Sequence, residues 1–444
     1  MKQQISRRSF IKQVSVLGAV APLILPRLSF ASPPSSRLQH AAIGVGGQGA
    51  YDLQNIHESG KVDVVALCDV DELTLQKAAQ LYPGARLYRN WREMMEKEEK
   101  RIDSVNVSTP DHTHAPASMT AIRKGKHVFC EKPLTHEVYE ARRITLAARK
   151  KKVATQMGIQ IHSHDFYRTG VQWIKEGAIG KVKEWHSWCA AVYTTKDKKR
   201  PEGSDPIPPN LDWDLWLGVA PERPYKDKLY HPFWWRNWRD FGGGTMGDFG
   251  CHIFDPVFTA LDIAPPLTIA CDAECISDEV WPEWIKATYV FPGGRMIAGK
   301  TIQATWMDGG KMPSATVSPH LPKDYELPKS GSMLIGEDGT MILPHVAAPL
   351  LFPEEKFKNY PKPTLEPKNH YHEFVEAALG NGKAGANFDF AGPLAETVLL
   401  ANIANRFPNK TLEWNAKRLR FTNCPEANKY LRRKYRKGWK VRGL

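Results

Sequence analysis

The 444-residue sequence has few cysteines and few long apolar runs. Its seven cysteines are too few for a disulfide scaffold, odd in number, and not arranged as the paired C-x-x-C ligands of a structural zinc site. Only one apolar stretch, close to the N-terminus, approaches the length of a membrane span. Hydrophobic residues make up 42% of the chain and charged residues 25%, which excludes a disordered, collagen-like or coiled-coil protein. The composition therefore predicts a globular chain of two or three domains.

The formal net charge of +13 is concentrated at the two ends of the chain. The first 31 residues carry five basic side chains and no acidic one, and residues 417–444 carry eleven against a single acid, Glu426. The long segment between them is close to neutral. Tyr430, Tyr435 and Trp439 are interleaved with the basic tail and could contact nucleic acid. Because no RNA-binding motif accompanies them, we expect a surface or subunit-contacting tail and no nucleic-acid partner.

The first 31 residues have the pattern of an export signal. The adjacent Arg7 and Arg8 precede an apolar stretch, Val14–Leu25, and small residues lead to a cleavage position after Ala31. Adjacent arginines predict the twin-arginine route, with the twin-arginine translocase as partner and a periplasmic or exported location. The alternative is a retained membrane anchor, but the apolar stretch is interrupted by Pro22 and falls short of the roughly 20 residues needed to span a bilayer.

A dinucleotide-binding fingerprint follows a short Pro/Ser linker. An apolar strand over Leu38–Val45 enters a G-x-G-x-x-G turn, a helix is predicted over Ala50–Glu58, and a second strand, Val62–Cys68, ends in Asp69. Glycines allow the backbone to approach a pyrophosphate, whose charge lies at the helix N-terminus. Asp69 can accept hydrogen bonds from both ribose hydroxyls and would repel a 2′-phosphate, which favours NAD over NADP. The turn residues expected to bind the cofactor are Gly44, Gly46, Gly47, Gln48 and Gly49.

Strands continue to alternate with helices as far as residue 157, which predicts a doubly wound parallel sheet, an α/β Rossmann domain over residues 37–157. Ligands of such sheets bind at the carboxyl ends of the strands. Two short segments follow predicted strands and should face the nicotinamide half of the cofactor, and His114 should close the first of them. The cofactor-binding candidates there are Ser108, Thr109, Pro110, His114, Glu131 and Lys132.

The order of these motifs resembles the Gfo/Idh/MocA oxidoreductases. Over about 120 residues, the chain has four motifs in the same order as that family. They are the glycine turn, the acid after the second strand, Ser-Thr-Pro-x-x-x-His and Glu131-Lys132-Pro133. The resemblance implies that Lys132 lies beside the nicotinamide and the substrate hydroxyl, often before a cis proline. It also implies an α+β second domain, residues 158–416, with a large open, mainly antiparallel sheet whose face often mediates homo-oligomerisation.

A glycine-rich run in the second domain holds the remaining catalytic candidates. Asp248 and His252 are four residues apart, so on a helix they share one face. The resemblance implies that they join Lys132 around the reacting carbinol. A histidine with a pKa near 6.5 suits the base that removes the hydroxyl proton. We interpret His252 as the base, Lys132 as polariser or proton relay, and Asp248 as the group that orients substrate or histidine; the alternative is a helix cap and a buried structural imidazole.

Several further side chains are candidates for weaker roles. Trp235 and Arg236 are expected to contact substrate with Asp248 and His252, since aromatic faces beside polar groups suit sugar rings, although core packing explains many of the nearby tryptophans (Trp213, Trp216, Trp234, Trp238). Two histidine clusters, 111–114 and 162–165, could ligate a metal. We expect instead that the first belongs to the cofactor turn and that the second begins a helix, and we expect no metal.

Three functions remain open from the sequence. The favoured one is an NAD-dependent oxidoreductase that acts on a ring hydroxyl of a sugar, glycoside or polyol by hydride transfer to bound nicotinamide. The second is a glycoside hydrolase or lyase with tightly bound NAD, which oxidises the sugar transiently, eliminates the glycosidic bond and returns the hydride. The third is a catalytically silent dinucleotide or sugar binder.

Overall fold

The computed structural model describes residues 37–444, so the predicted export signal and its cleavage position lie outside the described residues. The N-terminal part contains a six-stranded parallel sheet with the order β3-β2-β1-β4-β5-β6. Its strands are β1 (Leu38–Ile43), β2 (Val62–Cys68), β3 (Arg86–Tyr88), β4 (Ser104–Val107), β5 (His127–Glu131) and β6 (Thr155–Gly158). The order reverses between β1 and β4, where a doubly wound sheet opens the crevice that receives a ligand. The predicted Rossmann architecture is confirmed.

Five helices connect these strands: α1 (Gln48–His57), α2 (Glu72–Leu81), α3 (Trp91–Lys97), α4 (Asp111–Arg123) and α5 (Val138–Lys151). Local caps set several of their starting points. The Asp71 carboxylate accepts hydrogen bonds from the backbone of Leu73 and Thr74 at the start of α2. The Asn90 side chain does the same for Arg92 in α3. Such side chains satisfy backbone N–H groups that have no partner within the helix.

The second sheet has nine strands in the order β13-β12-β11-β7-β10-β9-β8-β14-β15. Strands β7 and β10 pair in parallel, and the other neighbours in the sheet are antiparallel. The mainly antiparallel α+β domain expected after the Rossmann domain is thereby confirmed. Its strands are β7 (Val182–Trp188), β8 (Thr268–Ala273), β9 (Ile285–Pro292), β10 (Thr301–Met307), β11 (Gly331–Gly336), β12 (Thr340–Pro344), β13 (Leu350–Phe352), β14 (Leu412–Asn415) and β15 (Arg420–Phe421).

Six helices accompany this sheet: α6 (Asp165–Lys175), α7 (Trp213–Leu217), α8 (Gly244–Leu261), α9 (Glu354–Phe357), α10 (His370–Ala378) and α11 (Phe388–Ala404). Helix α8 is buried along nearly its whole length and packs on α11, α6 and the sheet. Helix α11 also packs on α5 of the Rossmann domain. The two domains therefore share a continuous core around α8 and α11.

Helix α10 lies in the second half of the sequence but packs against the Rossmann domain. Its side chains Tyr371, Phe374 and Val375 form one apolar cluster with Leu38 and Phe129 of that domain. Within residues 37–444, no helix combines the length and apolar character needed to cross a bilayer.

Residues 429–444, which we call the C-terminal strap, lie across both domains. Leu431, Trp439 and Val441 are buried in the main core. The strap accepts a hydrogen bond from Arg92 of α3 at the Gly438 carbonyl, with an N–O distance of 3.0 Å. The basic end of the chain is thus part of the packed body.

Candidate active site

The glycine turn after β1 is tight on one side and open on the other. Gly44 has φ +81°, and an added Cβ there would lie 2.5 Å from the Ser108 carbonyl oxygen. A Cβ on Gly49 would collide with the Gly44 carbonyl, whereas one on Gly47 (φ +51°) meets nothing within 4 Å. Helix α1 begins directly afterwards at Gln48. The turn is therefore a backbone cradle at a helix N-terminus, which fits the pyrophosphate of a dinucleotide.

Asp69 lies at the carboxyl end of β2, beside this cradle. Its carboxylate accepts hydrogen bonds from the backbone N–H of Val45 and of Asp71, both at 3.0 Å. Burial raises the pKa of the Asp69 carboxyl, while these two bonds oppose that shift. The position and acceptor chemistry fit the ribose of an adenosine half.

A segment of the second domain packs against the same end of the Rossmann sheet. The Asn210 side chain donates to the Asp71 carboxylate at 2.9 Å, and His231 lies 3.3 Å from the other oxygen of that carboxylate. The backbone N–H of Asp212 donates to the Val70 carbonyl at 3.0 Å. These contacts hold residues 210–231 against the loop that follows Asp69, on the side where an adenosine ribose would lie.

Two loops at the carboxyl ends of β4 and β5 are tied together by His114. Its Nε2 lies 2.7 Å from the Thr109 carbonyl oxygen and its Nδ1 lies 2.8 Å from the Pro133 carbonyl oxygen. Ser108 donates from its hydroxyl to Asp52 of α1 at 2.7 Å. The Lys132–Pro133 peptide bond is cis. Of the other predicted residues, Pro110 precedes α4, and Glu131 accepts a hydrogen bond from Gln160 at 2.8 Å.

Lys132 and Asp248 meet across the two domains. The Lys132 Nζ lies 2.5 Å from the Asp248 Oδ1, and both side chains keep some exposure, 16% and 10% respectively. Although burial alone would raise the pKa of the Asp248 carboxyl, the charges of Lys132 and Arg236 bring it below its usual value. The pKa of Lys132 is raised, because Asp248 and Glu131 outweigh the effect of burial. The pair is therefore fully ionised at neutral pH.

Two more side chains converge on the Asp248 carboxylate. The Arg236 Nε lies 3.5 Å from Oδ1, and the Tyr193 hydroxyl donates to Oδ2 at 2.9 Å. Sequence analysis missed Tyr193, which lies in an irregular segment after β7 and belongs to no recognisable motif. Arg236 and Tyr193 thus fix the Asp248 carboxylate, and this carboxylate in turn positions the Lys132 ammonium.

His252 lies one turn further along α8, on the same face as Asp248. Burial, reinforced by the charge of Lys132, lowers the pKa of His252 well below its usual value, which keeps the ring neutral. Its buried Nδ1 has no hydrogen-bond partner among the described residues. In this neutral form one ring nitrogen can accept a proton. The lowered pKa makes His252 a weaker base than the pKa near 6.5 expected from the sequence.

A second histidine, His345, stands beside His252 with 5.8 Å between the ring centroids. It follows β12, and its Nδ1 lies 3.2 Å from the Tyr167 hydroxyl. Burial and the charge of Lys132 lower the pKa of His345 as well. Sequence analysis missed His345, because a lone histidine in a loop carries no signal of its own.

The tryptophans near the site are mostly core residues. Trp213, Trp216, Trp235 and Trp238 are buried in one aromatic cluster, whereas Trp234 is 49% exposed. The Arg236 guanidinium lies over the Trp235 ring, 4.1 Å from its centroid. Trp235 therefore packs against the Arg236 guanidinium.

The two histidine clusters have local partners. His112 Nε2 lies 2.9 Å from the Trp216 carbonyl oxygen, and His162 Nδ1 lies 2.7 Å from the Asp255 carboxylate. The second cluster leads into α6, as predicted. Within residues 37–444, no group of three or more His, Cys, Asp or Glu side chains is arranged to hold a metal ion.

Two family models match the chain. One, described as the NAD-binding Rossmann fold of an oxidoreductase family, covers residues 38–159, and the C-terminal alpha/beta domain of the same family covers residues 173–312. Together they span more than half of the sequence. The chain belongs to the Gfo/Idh/MocA oxidoreductase family.

Three proteins similar to this Gfo/Idh/MocA chain have names that refer to sugars or glycosides. A glycosyl hydrolase family 109 protein of Bacteroides fragilis is 29% identical over 163 residues, 35% of this chain and 38% of that protein. A levoglucosan dehydrogenase of Pseudarthrobacter phenanthrenivorans is 24% identical over 40% of this chain and 37% of its own. A 1,5-anhydro-D-fructose reductase of Ensifer adhaerens is 38% identical over 38% of this chain and 40% of its own. The matches span well under half of these relatives.

Solved structures share the fold over most of the Gfo/Idh/MocA chain. The WlbA dehydrogenase of Bordetella pertussis, solved with NADH and UDP-GlcNAcA, superposes with a TM-score of 0.60 at 15% identity and covers 85% of this chain and 99% of its own. An aldose-aldose oxidoreductase of Caulobacter crescentus reaches a TM-score of 0.58 at 16% identity, covering 85% of this chain and 100% of its own. At this identity the likeness shows the fold alone.

Proposed function

We propose that this protein oxidises a ring hydroxyl of a sugar, glycoside or polyol, with NAD as the hydride acceptor. The observation that carries the proposal is the meeting of Lys132, from the Rossmann domain, with Asp248 on α8 of the second domain. Both side chains keep some exposure, 16% and 10%, and their charges act on the neighbouring His252, whose ring is neutral. Relatives named for levoglucosan and 1,5-anhydro-D-fructose support this class of substrate.

Each side chain has a defined task in this proposal. Bound nicotinamide supplies the acceptor for the hydride. His252 accepts the proton of the substrate hydroxyl, since its ring is neutral. The Lys132 ammonium donates a hydrogen bond to the hydroxyl oxygen and stabilises negative charge that develops there. Asp248 holds Lys132 in place, and Arg236 and Tyr193 hold Asp248.

NAD, rather than NADP, is the cofactor we propose. The support is Asp69, whose carboxylate stands at the end of β2 beside the glycine turn. A carboxylate at that point accepts hydrogen bonds from ribose hydroxyls and repels a 2′-phosphate.

The test is single-turnover reduction of the bound cofactor. Protein saturated with NAD is mixed with a panel of hexoses, glycosides, inositols and aminosugars, and absorbance near 340 nm is followed. A sugar that reduces the cofactor in the wild type and not in His252→Ala supports the proposal. If no member of the panel changes the absorbance while NAD binding is intact, the third function, a silent dinucleotide or sugar binder, replaces it.

A second candidate function is redox-neutral cleavage of a glycoside with retained NAD. Elimination next to a transiently oxidised carbon requires a base for the proton on the neighbouring carbon, in addition to the base for the hydroxyl. His345, held by Tyr167 beside His252, provides such a second neutral imidazole. The similarity to a glycosyl hydrolase family 109 protein supports the same class.

His345 separates the two candidates. If cleavage is the reaction, a p-nitrophenyl glycoside releases nitrophenol without added NAD, and His345→Ala loses this release while the first reduction of NAD persists. His372→Ala, which changes a partly exposed histidine of α10, serves as the control. If substrate oxidation is stoichiometric and no aglycone appears, net dehydrogenation is the function.

Export and assembly complete the proposal. We propose that the Arg7-Arg8 segment directs the folded protein to the twin-arginine translocase and so to the periplasm. We further propose a homo-oligomer formed through the second sheet. In β9, buried side chains alternate with partly accessible ones, so α8 and α11 cover one face while the other is available for a subunit contact. Light scattering of the purified protein measures the oligomeric mass.

A further inference from the structure

A cavity of about 230 Å³ lies beside the glycine segment that leads into α8. The start of α5, the end of α11 and the C-terminal strap form its walls. Its lining contains five basic side chains against two carboxylates, Glu137 and Asp240. The five are Arg239, Arg406, Lys429, Arg432 and Arg433.

Three of these five cations have no carboxylate within 4.0 Å among residues 37–444. Arg433 is close to Asp240 and Glu137, at 3.5 and 3.8 Å, and Arg406 pairs with Asp278 at 2.6 Å. The other three cations, Arg239, Lys429 and Arg432, form no such pair in the described part of the chain. The cavity therefore holds an excess of positive charge that residues 37–444 do not neutralise.

Arg239 is the most informative of the three because it is only 4% exposed. Its Nε donates to the Val280 carbonyl and its Nη2 to the Asn405 side chain, both at 2.9 Å. The remaining Nη1 is buried and has no partner among the described residues. Burial, together with the charge of Arg406, lowers the pKa of Arg239 to about 9. A buried charge without a counter-ion is costly, and an unpaired guanidinium nitrogen adds to that cost.

We infer that this cavity binds a small tetrahedral oxyanion of the phosphate type, either the free ion or a phosphate monoester. Arg239 forms the floor of the site, and a guanidinium fork suits oxyanion geometry. Lys429 and Arg432, both exposed, form the mouth and attract the anion. The site is separate from the cofactor cradle, which lies at the start of α1.

The site shares a wall with the helix that carries Asp248. Trp281 donates from its indole N–H to the Gly242 carbonyl, and Asn402 donates to the Gly243 carbonyl, at 2.9 and 2.8 Å. Both side chains also line the cavity. An anion on the Arg239 side therefore stabilises the same backbone that positions α8.

The test uses protein saturated with NAD, so that phosphate cannot occupy the cofactor cradle. The thermal midpoint is measured in potassium phosphate and in potassium chloride of equal ionic strength, and titration calorimetry gives the binding constant. We expect phosphate to raise the midpoint by about 2 °C or more relative to chloride, because a ligand that binds only the folded state stabilises it. Glycerol 2-phosphate, run in parallel, shows whether an ester or the free ion binds more tightly.

Two variants and one control make the result specific. Arg239→Met should abolish the phosphate-dependent shift, and Lys429→Ala/Arg432→Ala, which changes only exposed side chains, should reduce the affinity at least about tenfold. Arg295→Ala removes one exposed charge elsewhere and should retain the shift. An equal midpoint in phosphate and chloride, or an undiminished phosphate affinity in the Lys429→Ala/Arg432→Ala variant, would overturn the inference.

Discussion

The Lys132 ammonium lies 2.5 Å from the Asp248 carboxylate, although the two residues are 116 positions apart and belong to different domains. The ion pair is partly buried, so it depends on correct packing of α8 against the loop that follows β5. Neither domain contains both halves of the pair. The ion pair therefore requires the two domains to be packed together, and so does the catalytic step proposed for it.

Removal of either acid–base group should slow the reaction without loss of the cofactor. Lys132→Ala and His252→Ala should each lower single-turnover NAD reduction by about 10² to 10⁴, the range typical of positioned acid–base groups. The double variant should lose less than the product of the two effects, because both groups act in one transition state. Lys150→Ala, an exposed lysine of α5, is the control. Rates within a few-fold of wild type in both single variants would exclude this site.

The acid limb of the pH profile should lie at low pH. Burial and the charge of Lys132 hold the pKa of His252 well below 6.5, so the ring stays in its neutral, proton-accepting form as pH falls from 8 to 6.5. We expect kcat/KM to lose no activity from His252 protonation in that interval. Lys132→Gln removes one of the charges that lower the pKa, so the NMR titration of His252 should move to higher pH in that variant. A His252 titration centred above pH 6.5 in the wild type would contradict this assignment.

Cofactor preference should depend on Asp69. Asp69→Ala removes the ribose acceptor and the charge that repels a 2′-phosphate, so NAD should bind more weakly and NADP relatively more tightly. Titration calorimetry with both cofactors gives the ratio of dissociation constants. Glu58→Ala, an exposed acid beyond the end of α1, controls for loss of charge. Unchanged NAD affinity in Asp69→Ala would mean that the ribose lies elsewhere.

The contacts around Asp71 should slow cofactor release. Asn210→Ala/His231→Ala removes two hydrogen bonds that hold residues 210–231 against Asp71, in the loop that follows the proposed ribose ligand Asp69. At about 1 kcal/mol for each bond, NAD should dissociate roughly ten times faster or more. Stopped-flow displacement of NADH fluorescence measures the rate, with Asn381→Ala as the control at an exposed asparagine. An unchanged rate would show that this segment does not limit release.

Export should require the arginine pair. Arg7→Lys/Arg8→Lys preserves charge but removes the pattern that defines a twin-arginine signal, so precursor should remain in the cytoplasm. Fractionation and immunoblotting measure the distribution, with Lys2→Arg as the matched control. Normal periplasmic recovery of the double variant would indicate general secretion instead.

Much of the Rossmann domain could be predicted because its local patterns agree with its tertiary environment. The apolar runs predict strands over Leu38–Val45 and Val62–Cys68, and the structure has them over Leu38–Ile43 and Val62–Cys68. The short strand β3 and helix α3 could not be predicted in this way. Strand β3 has only three residues, Arg86–Tyr88, and contains a charged side chain, so it shows no apolar periodicity.

The site was only partly predictable for a similar reason. Lys132, Asp248 and His252 stand in motifs with a recognisable spacing. Tyr193 and His345 reach the same place from irregular segments, and only the packing of the second sheet brings them there. The sequence also does not show that α10 packs on the Rossmann domain, because an apolar helix face does not specify which domain it contacts.

The C-terminal strap has a consequence for the order of assembly during synthesis. Its residues leave the ribosome after every other element described, yet Arg436 pairs with Asp214 and Tyr435 donates to Glu140 of α5 at 2.5 Å. Arg143 also donates to the Gly443 carbonyl at 2.9 Å. A nascent chain that has completed both sheets still lacks these links. They can form only after the strap is synthesised, 222 to 300 codons after the residues that it contacts.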